Sequence, residues 1–281
     1  MRVFTRSEIA TWRTCQRKHH YAYTMLRRPL KPSYALTFGT LMHKALEAWW
    51  KSPTHEWSLE VTDIDPFDAA KVQALMNGYT AQWAEMDLPA VSVERQFECQ
   101  FVDGDEILLT VAGKIDVVGE GCIIEHKTTS QDITEGSEYW AKLAIDDQIS
   151  TYLDATGLRR CVYDVIKKPL QRPLKASAKR KDDETPEEYG TRLEAVIEEK
   201  PDAYYVRAEI VRTDDEIEEA RKDRLATLAQ MLRKPDPHIP RNPSACFQYG
   251  RCEYFGVCTK TADISDDSLF RTAATPHEEL A

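Results

Sequence analysis

The chain has 281 residues, 42% hydrophobic and 30% charged, with a formal net charge of −10. This composition suits a globular protein with a sizeable core, and no run of 18 apolar residues suggests a transmembrane helix. The start, MRVFTRSEIATWRTCQRKHH, lacks the apolar stretch of a secretory signal, so a cytoplasmic location is expected, and seven cysteines there point to metal or cluster ligands over disulfides.

In chain order, residues 5–28 read as a helix, with Ser7 as N-cap and Ile9, Trp12, Tyr21 and Met25 at helical spacing. A second helix is predicted from Thr40 to Trp50, ended by Pro53, and a third over residues 67–86. Strands follow at 91–102, 106–118 and 122–128, joined by the turns DGD and GEG. Residues 138–156 look helical and 160–168 return to strand. The segment KKPLQRPLKASAKRK (167–181), with seven basic residues and no acid, reads as a mobile loop. Pro186 opens another helix, YYVRAEIVRT reads as a strand, and 214–233 is a charged helix. The order predicts an α/β fold with a mixed sheet and packed helices, a single domain over 1–260 (core about 36–215), and a loosely held tail over 261–281.

The stretch GKIDVVGEGCIIEHKTT sets the chemistry. With Glu120-Gly121 as a two-residue turn, Val118 opposes Ile123 and Asp116 opposes Glu125, with Lys127 on the same side of the sheet. Two opposed carboxylates repel, so a cation belongs between them. Lys127 alone would make a structural ion pair; Mg²⁺ or Mn²⁺ would make a hydrolytic site, with Lys127 beside the attacking water. On the helix GTLMHKALE, His43 offers a further metal ligand and shares a face with Glu47. In QISTY, Gln148 and Tyr152 are four apart and present an amide and a phenol.

Together these pieces resemble the RecB-like branch of the PD-(D/E)xK nuclease superfamily: GTLMHKALE its helical His motif, GKIDVV its Asp strand, IIEHKTT its E-x-K strand, QISTY its Q-x3-Y helix. The resemblance runs from about residue 5 to 260. It implies a restriction-endonuclease-like core in which His43, Asp116, Glu125 and the carbonyl of His126 hold the metal. Lys127 then positions the water, and Gln148 and Tyr152 steady the substrate or Lys127. The implied activity is metal-dependent DNA hydrolysis from an end.

Cys99, Cys122 and Cys161 lie in strand contexts and read as buried small hydrophobes. Cys15, Cys246, Cys252 and Cys258 remain, the number a [4Fe–4S] cluster or a structural zinc needs. Both gaps in the C-terminal triad are five residues, wider than the usual zinc pair. One N-terminal and three C-terminal cysteines resemble the layout of the cluster-bearing CRISPR-associated and helicase-linked nucleases, although their first triad gap is commonly shorter. The resemblance implies a cluster stapling the first helix to the C-terminal segment, ringed by Arg13, Arg17, Lys18 and Arg251.

The acidic net charge opposes a nucleic-acid partner, but the basic stretches at 13–31 and 167–181 could line one face. Trp12, Tyr21, Tyr152, Tyr249 and Tyr254 are candidates for base stacking as well as for packing. The favoured reading is an exonuclease acting on single-stranded or end-resected DNA in recombination, repair or phage DNA processing, beside a helicase, annealing or recombination protein. Alternatives are a non-catalytic DNA-end-binding scaffold, a same-fold nuclease acting on RNA, and a zinc-stabilised interaction module.

Overall fold

The structure, a computed structural model, describes residues 2–31, 33–59, 64–85, 88–103, 106–178, 180–233, 238–248 and 250–280. A six-stranded mixed sheet runs through it: β1 (Arg2–Thr5), β3 (Ala90–Asp103), β4 (Glu106–Gly119), β5 (Ile123–Thr129), β6 (Arg160–Lys167) and β7 (Tyr205–Val211). β3 pairs antiparallel with β4 along nearly its whole length. The other edge of β4 is shared. β1 lies parallel to it from Leu109 to Ala112, and β5 joins antiparallel only at Val117 and Val118. Four residues of β4, 113–116, therefore face a gap between β1 and β5, and Asp116 closes it. β6 continues the sheet parallel to β5, and β7 ends it antiparallel to β6.

Helices cover both faces. On one, α3 (Tyr34–Lys51), α4 (Pro66–Gln82) and α7 (Pro186–Glu199) pack Trp49, Leu75 and Leu193 against Val117, Ile124 and Val162. On the other, α6 (Asp147–Thr156) and α8 (Asp214–Met231) cover Ile123, Tyr163 and Val165. The alternation of β4 slips at Asp116: Ile115 and Val118 belong to one core and Val117 to the other. A strand of strict period two would place Ile115 and Val118 on opposite faces. This slip lets Asp116 reach a helix on one side and a strand backbone on the other.

Several elements differ from the sequence reading. The first helix does not run unbroken. Residues 2–5 form β1, and Thr5, not Ser7, caps α1 (Arg6–Thr14), its hydroxyl accepting the Glu8 N–H at 3.2 Å. Cys15 adopts extended backbone and separates α1 from α2 (Gln16–His19), with a wider helical turn over His20–Thr24. α3 starts at Tyr34, capped by Ser33. The 138–156 segment is two helices, α5 (Glu138–Leu143) and α6, because Asp146 caps the second. Gly104 and Asp105 of the DGD turn lie outside the described residues.

The basic segment is tied down by the acids that follow it. Lys175 pairs with Asp183, Arg180 with Glu188, and Glu184 accepts the Leu174 N–H. The C-terminal residues, expected as a loose tail, carry contacts of their own. After α9 (Phe255–Cys258), β8 (Phe270–Thr272) pairs with β2 (Arg27–Pro29), and His277 donates to buried Glu8. No helix among the described residues is long and apolar enough to cross a membrane.

Candidate active site

The β4–β5 hairpin turns at Gly121, whose φ of +73° favours glycine. Its register pairs Val118 with Ile123 and Val117 with Ile124, then stops. One step further the strands part, and Asp116 Oδ2 accepts the backbone N–H of His126 at 2.9 Å in place of a ladder bond. Asp116 Oδ1 lies 3.5 Å from Nδ1 of His43, which α3 brings in from above the gap. His43 remains 37% exposed, so it faces solvent as well as the acid. Glu47, one turn on, is taken by Lys51.

Glu125 and Lys127 project to the α6 side. Lys127 Nζ donates to Glu125 Oε1 at 2.8 Å and to Gln148 Oε1 at 2.6 Å. Gln148 Nε2 donates to the Tyr152 hydroxyl at 2.9 Å, which fixes the amide so that its oxygen faces the lysine. Tyr152 stands edge-on to Phe97, centroids 5.5 Å apart. The Phe97 ring occupies the space beside Gly113, where a Cβ would meet it at 2.7 Å.

Three residues absent from the sequence reading complete this side. Asp146 caps α6 by accepting the Gln148 N–H, takes hydrogen bonds from Arg6 and Tyr163, and lies 4.0 Å from Lys127. An Asp two residues before Gln148 is a helix-capping signal that could have marked it. Arg6 and Tyr163 are far apart in sequence and carried no such signal.

Beneath the site a second network lies beside the His126 ring, whose two nitrogens are buried without a hydrogen-bond partner. Asp164, fully buried on β6, accepts the Tyr79 hydroxyl at 2.5 Å and Arg207 at 3.1 Å, and lies 3.4 Å from His126 Nδ1. Burial pushes the Asp164 carboxyl up, but Arg207 and His126 outweigh it and leave it at about 2.

The electrostatics of the gap divide the two acids. Burial raises Asp116, but the His43 and His126 contacts bring it down to about 2. Glu125 is raised, by burial first and by Asp116 as well, with Lys127 opposing. Burial lowers His43, and the charges of Asp116 and Glu125 more than restore it. Burial likewise lowers Lys127, while Glu125 and Asp146 raise it above its ordinary value. Glu125 Oε2 is buried with no hydrogen-bond partner. A buried carboxylate oxygen without a donor is costly, and a hard cation is the partner its chemistry fits.

The four remaining cysteines are half-buried free thiols. Cys15 Sγ accepts the Asn242 N–H at 3.4 Å, Cys246 Sγ lies 3.7 Å from Asn242 O, and Cys252 N–H donates to Cys246 O at 2.8 Å. Burial raises the Cys258 thiol, and Cys15 and Cys246 add to the effect. The thiols are neighbours rather than a closed shell. Among the described residues, no group of three or more His, Cys, Asp or Glu side chains stands as a preformed ion site, neither these thiols nor His43, Asp116 and Glu125. The basic residues around them have structural partners: Arg17 donates to Ile239 O, Lys18 pairs with Glu253, and Arg13 with Asp147. Tyr152 and Tyr254 are buried and pack rather than present a free face; Tyr249 lies outside the described residues.

The sequence matches the PD-(D/E)XK nuclease superfamily over residues 3–259. No curated protein matches it closely enough to count as a relative. Among solved structures, it is similar to a phage-related exonuclease from Haemophilus somnus 129PT, at 16% identity over 61% of this chain and 74% of that one, with a TM-score of 0.34. It is also similar to a candidate exonuclease from Eubacterium rectale, at 11% identity over 91% of this chain and 87% of that one, with a TM-score of 0.46.

Proposed function

The chain belongs to the PD-(D/E)XK nuclease superfamily, and from that premise we propose that it hydrolyses DNA phosphodiester bonds with Mg²⁺ or Mn²⁺ held by His43, Asp116, Glu125 and the carbonyl of His126. The observation that carries this reading is the buried, unpartnered Oε2 of Glu125 beside Asp116. A bound divalent cation supplies Lewis acidity, lowering the pKa of the attacking water and drawing charge from the phosphate.

The chain's own residues do the rest. An ammonium has three N–H bonds, and Lys127 spends two on Glu125 and Gln148, leaving one to orient the water. Tyr152 keeps Gln148 from turning its amide away. The backbone N–H of His126, whose ring lies beside buried Asp164, holds Asp116.

The order of the His43 helix, the Asp116 strand, the Glu125–Lys127 strand and the Gln148–Tyr152 helix supports the RecB-like branch and exonuclease action on single-stranded or end-resected DNA. Cys15, Cys246, Cys252 and Cys258 are the proposed ligands of a [4Fe–4S] cluster, zinc being the alternative. The backbone N–H of Asn242 donating to the Cys15 sulfur, as it would to a thiolate ligand, supports that assignment. The setting is recombination, repair or phage DNA processing, with a helicase, annealing or recombination protein as partner.

Anaerobic purification with iron and sulfide counting tests the cluster, about four irons per chain being expected. Digestion of end-labelled DNA beside RNA tests the substrate. Labelled mononucleotides or short oligomers from DNA alone support the reading; cleavage of RNA alone overturns it.

A further inference from the structure

Lys175 and Arg180 of the 167–181 stretch pair with acids that follow them; Lys168 is placed differently. Its backbone N–H donates to Thr129 O at 2.7 Å, at the end of β5 two residues past Lys127. Its ammonium stands 5.6 Å from the centroid of Phe38 on α3. Lys71 on α4 stands 5.5 Å from the same centroid. Neither lysine pairs with a carboxylate among the described residues; Asp68 reaches Lys71 only through the Tyr34 hydroxyl, which Lys71 touches at 3.2 Å. Burial, and then Lys71, lower the Lys168 ammonium below its ordinary range.

Two cations over one aromatic ring repel, and an anion between them is the simplest relief. The place suits a substrate strand. Phe38 lies five residues before His43, about 7.5 Å along the helix axis. Gly39, one turn before His43 on the same face, has open space where a Cβ would stand. Tyr34 is 54% exposed at the same end.

We propose that Lys71 and Lys168, with the exposed ring of Tyr34, form a second phosphate site that grips the phosphodiester backbone of the substrate strand on the His43 side. This rests on the reading of the chain as a nuclease. The ligand is a nucleic-acid phosphodiester, and the pair serves binding rather than bond cleavage.

The test is a titration of single-stranded DNA against the full chain carrying Lys127→Ala, with a chelator present to suppress cutting, across salt from about 50 to 200 mM. Each phosphate contact contributes about 0.7 to the salt slope. Lys71→Gln and Lys168→Gln should each reduce the slope by about 0.7, and the pair by about 1.4, so the affinity lost across that range shrinks by about sevenfold. Lys200→Gln with Lys222→Gln serves as the control and should leave the slope unchanged. With Lys127 intact, the pair variant should raise KM and leave kcat in place. A slope and affinity equal to the parent's, in a chain that still cuts DNA, would overturn this inference alone. A wild-type chain that neither binds nor cuts DNA would overturn it together with the nuclease reading.

Discussion

Asp116 Oδ2 accepts the backbone N–H of His126 at 2.9 Å at the point where the β4–β5 ladder ends. A side chain here does the work of a strand partner. The same carboxylate is therefore fixed in place and kept ionised by His43, and its charge raises Glu125. The unpaired edge of β4 between β1 and β5 creates the opening in which all three meet.

Asp116→Asn keeps an oxygen for the His126 N–H but removes the charge. The fold should survive, with a melting temperature within a few degrees of wild type. Nuclease activity should fall by more than about 100-fold, beyond the effect expected of a residue that only supports a ligand. Thermal melting with and without Mn²⁺ checks the metal separately: Mn²⁺ should stabilise wild type and leave Asp116→Asn unchanged.

Gly113→Ala should disturb the site from behind. The new Cβ would stand 2.7 Å from the Phe97 ring, and Phe97 supports Tyr152, which orients Gln148. Overpacking of this kind costs about 1–3 kcal/mol. Phe97→Leu makes room, so the double variant should regain both stability and activity relative to Gly113→Ala. Failure of that rescue would mean that Gly113 acts through its backbone alone.

Glu8 contributes to acid stability, alongside Asp116 and Asp164. Burial pushes its carboxyl up, but hydrogen bonds from His19 and His277, with the charge of Arg2, bring it down to about 2. A carboxyl lowered on folding stabilises above its unfolded value near 4.5, and that stability is lost as pH falls toward 2. The contribution is about 3 kcal/mol at most, less the part that solvent screens at half-exposed Arg2. Melting temperatures between pH 6 and pH 2 should fall steeply in wild type and more gently in Glu8→Gln. Parallel curves would remove Glu8 from the account.

The hairpin was legible because its register depends on local chemistry. The Glu120-Gly121 turn fixes which residues oppose, and the pairing of Val118 with Ile123 follows from it. The gap that gives Asp116 its role was not legible. It is made by β1, four residues that show no period before a helix begins, and by a parallel pairing across more than a hundred residues. β2 and β8 are hidden for the same reason, three residues each at opposite ends of the chain. Asp146 and Arg6 reach Lys127 through tertiary contacts that spacing does not record. The basic stretch misled as a free patch, because the acids that pair with Lys175 and Arg180 come just after it.

The central claim is that Lys127, held between Glu125 and Gln148, serves metal-dependent cleavage of DNA. The most direct measurement is digestion of end-labelled single-stranded DNA with Mg²⁺, wild type beside Lys127→Ala, each with and without a chelator. The account predicts short labelled products from wild type alone, abolished by the chelator and reduced by about 100-fold or more in Lys127→Ala. Equal digestion by the two proteins would contradict it.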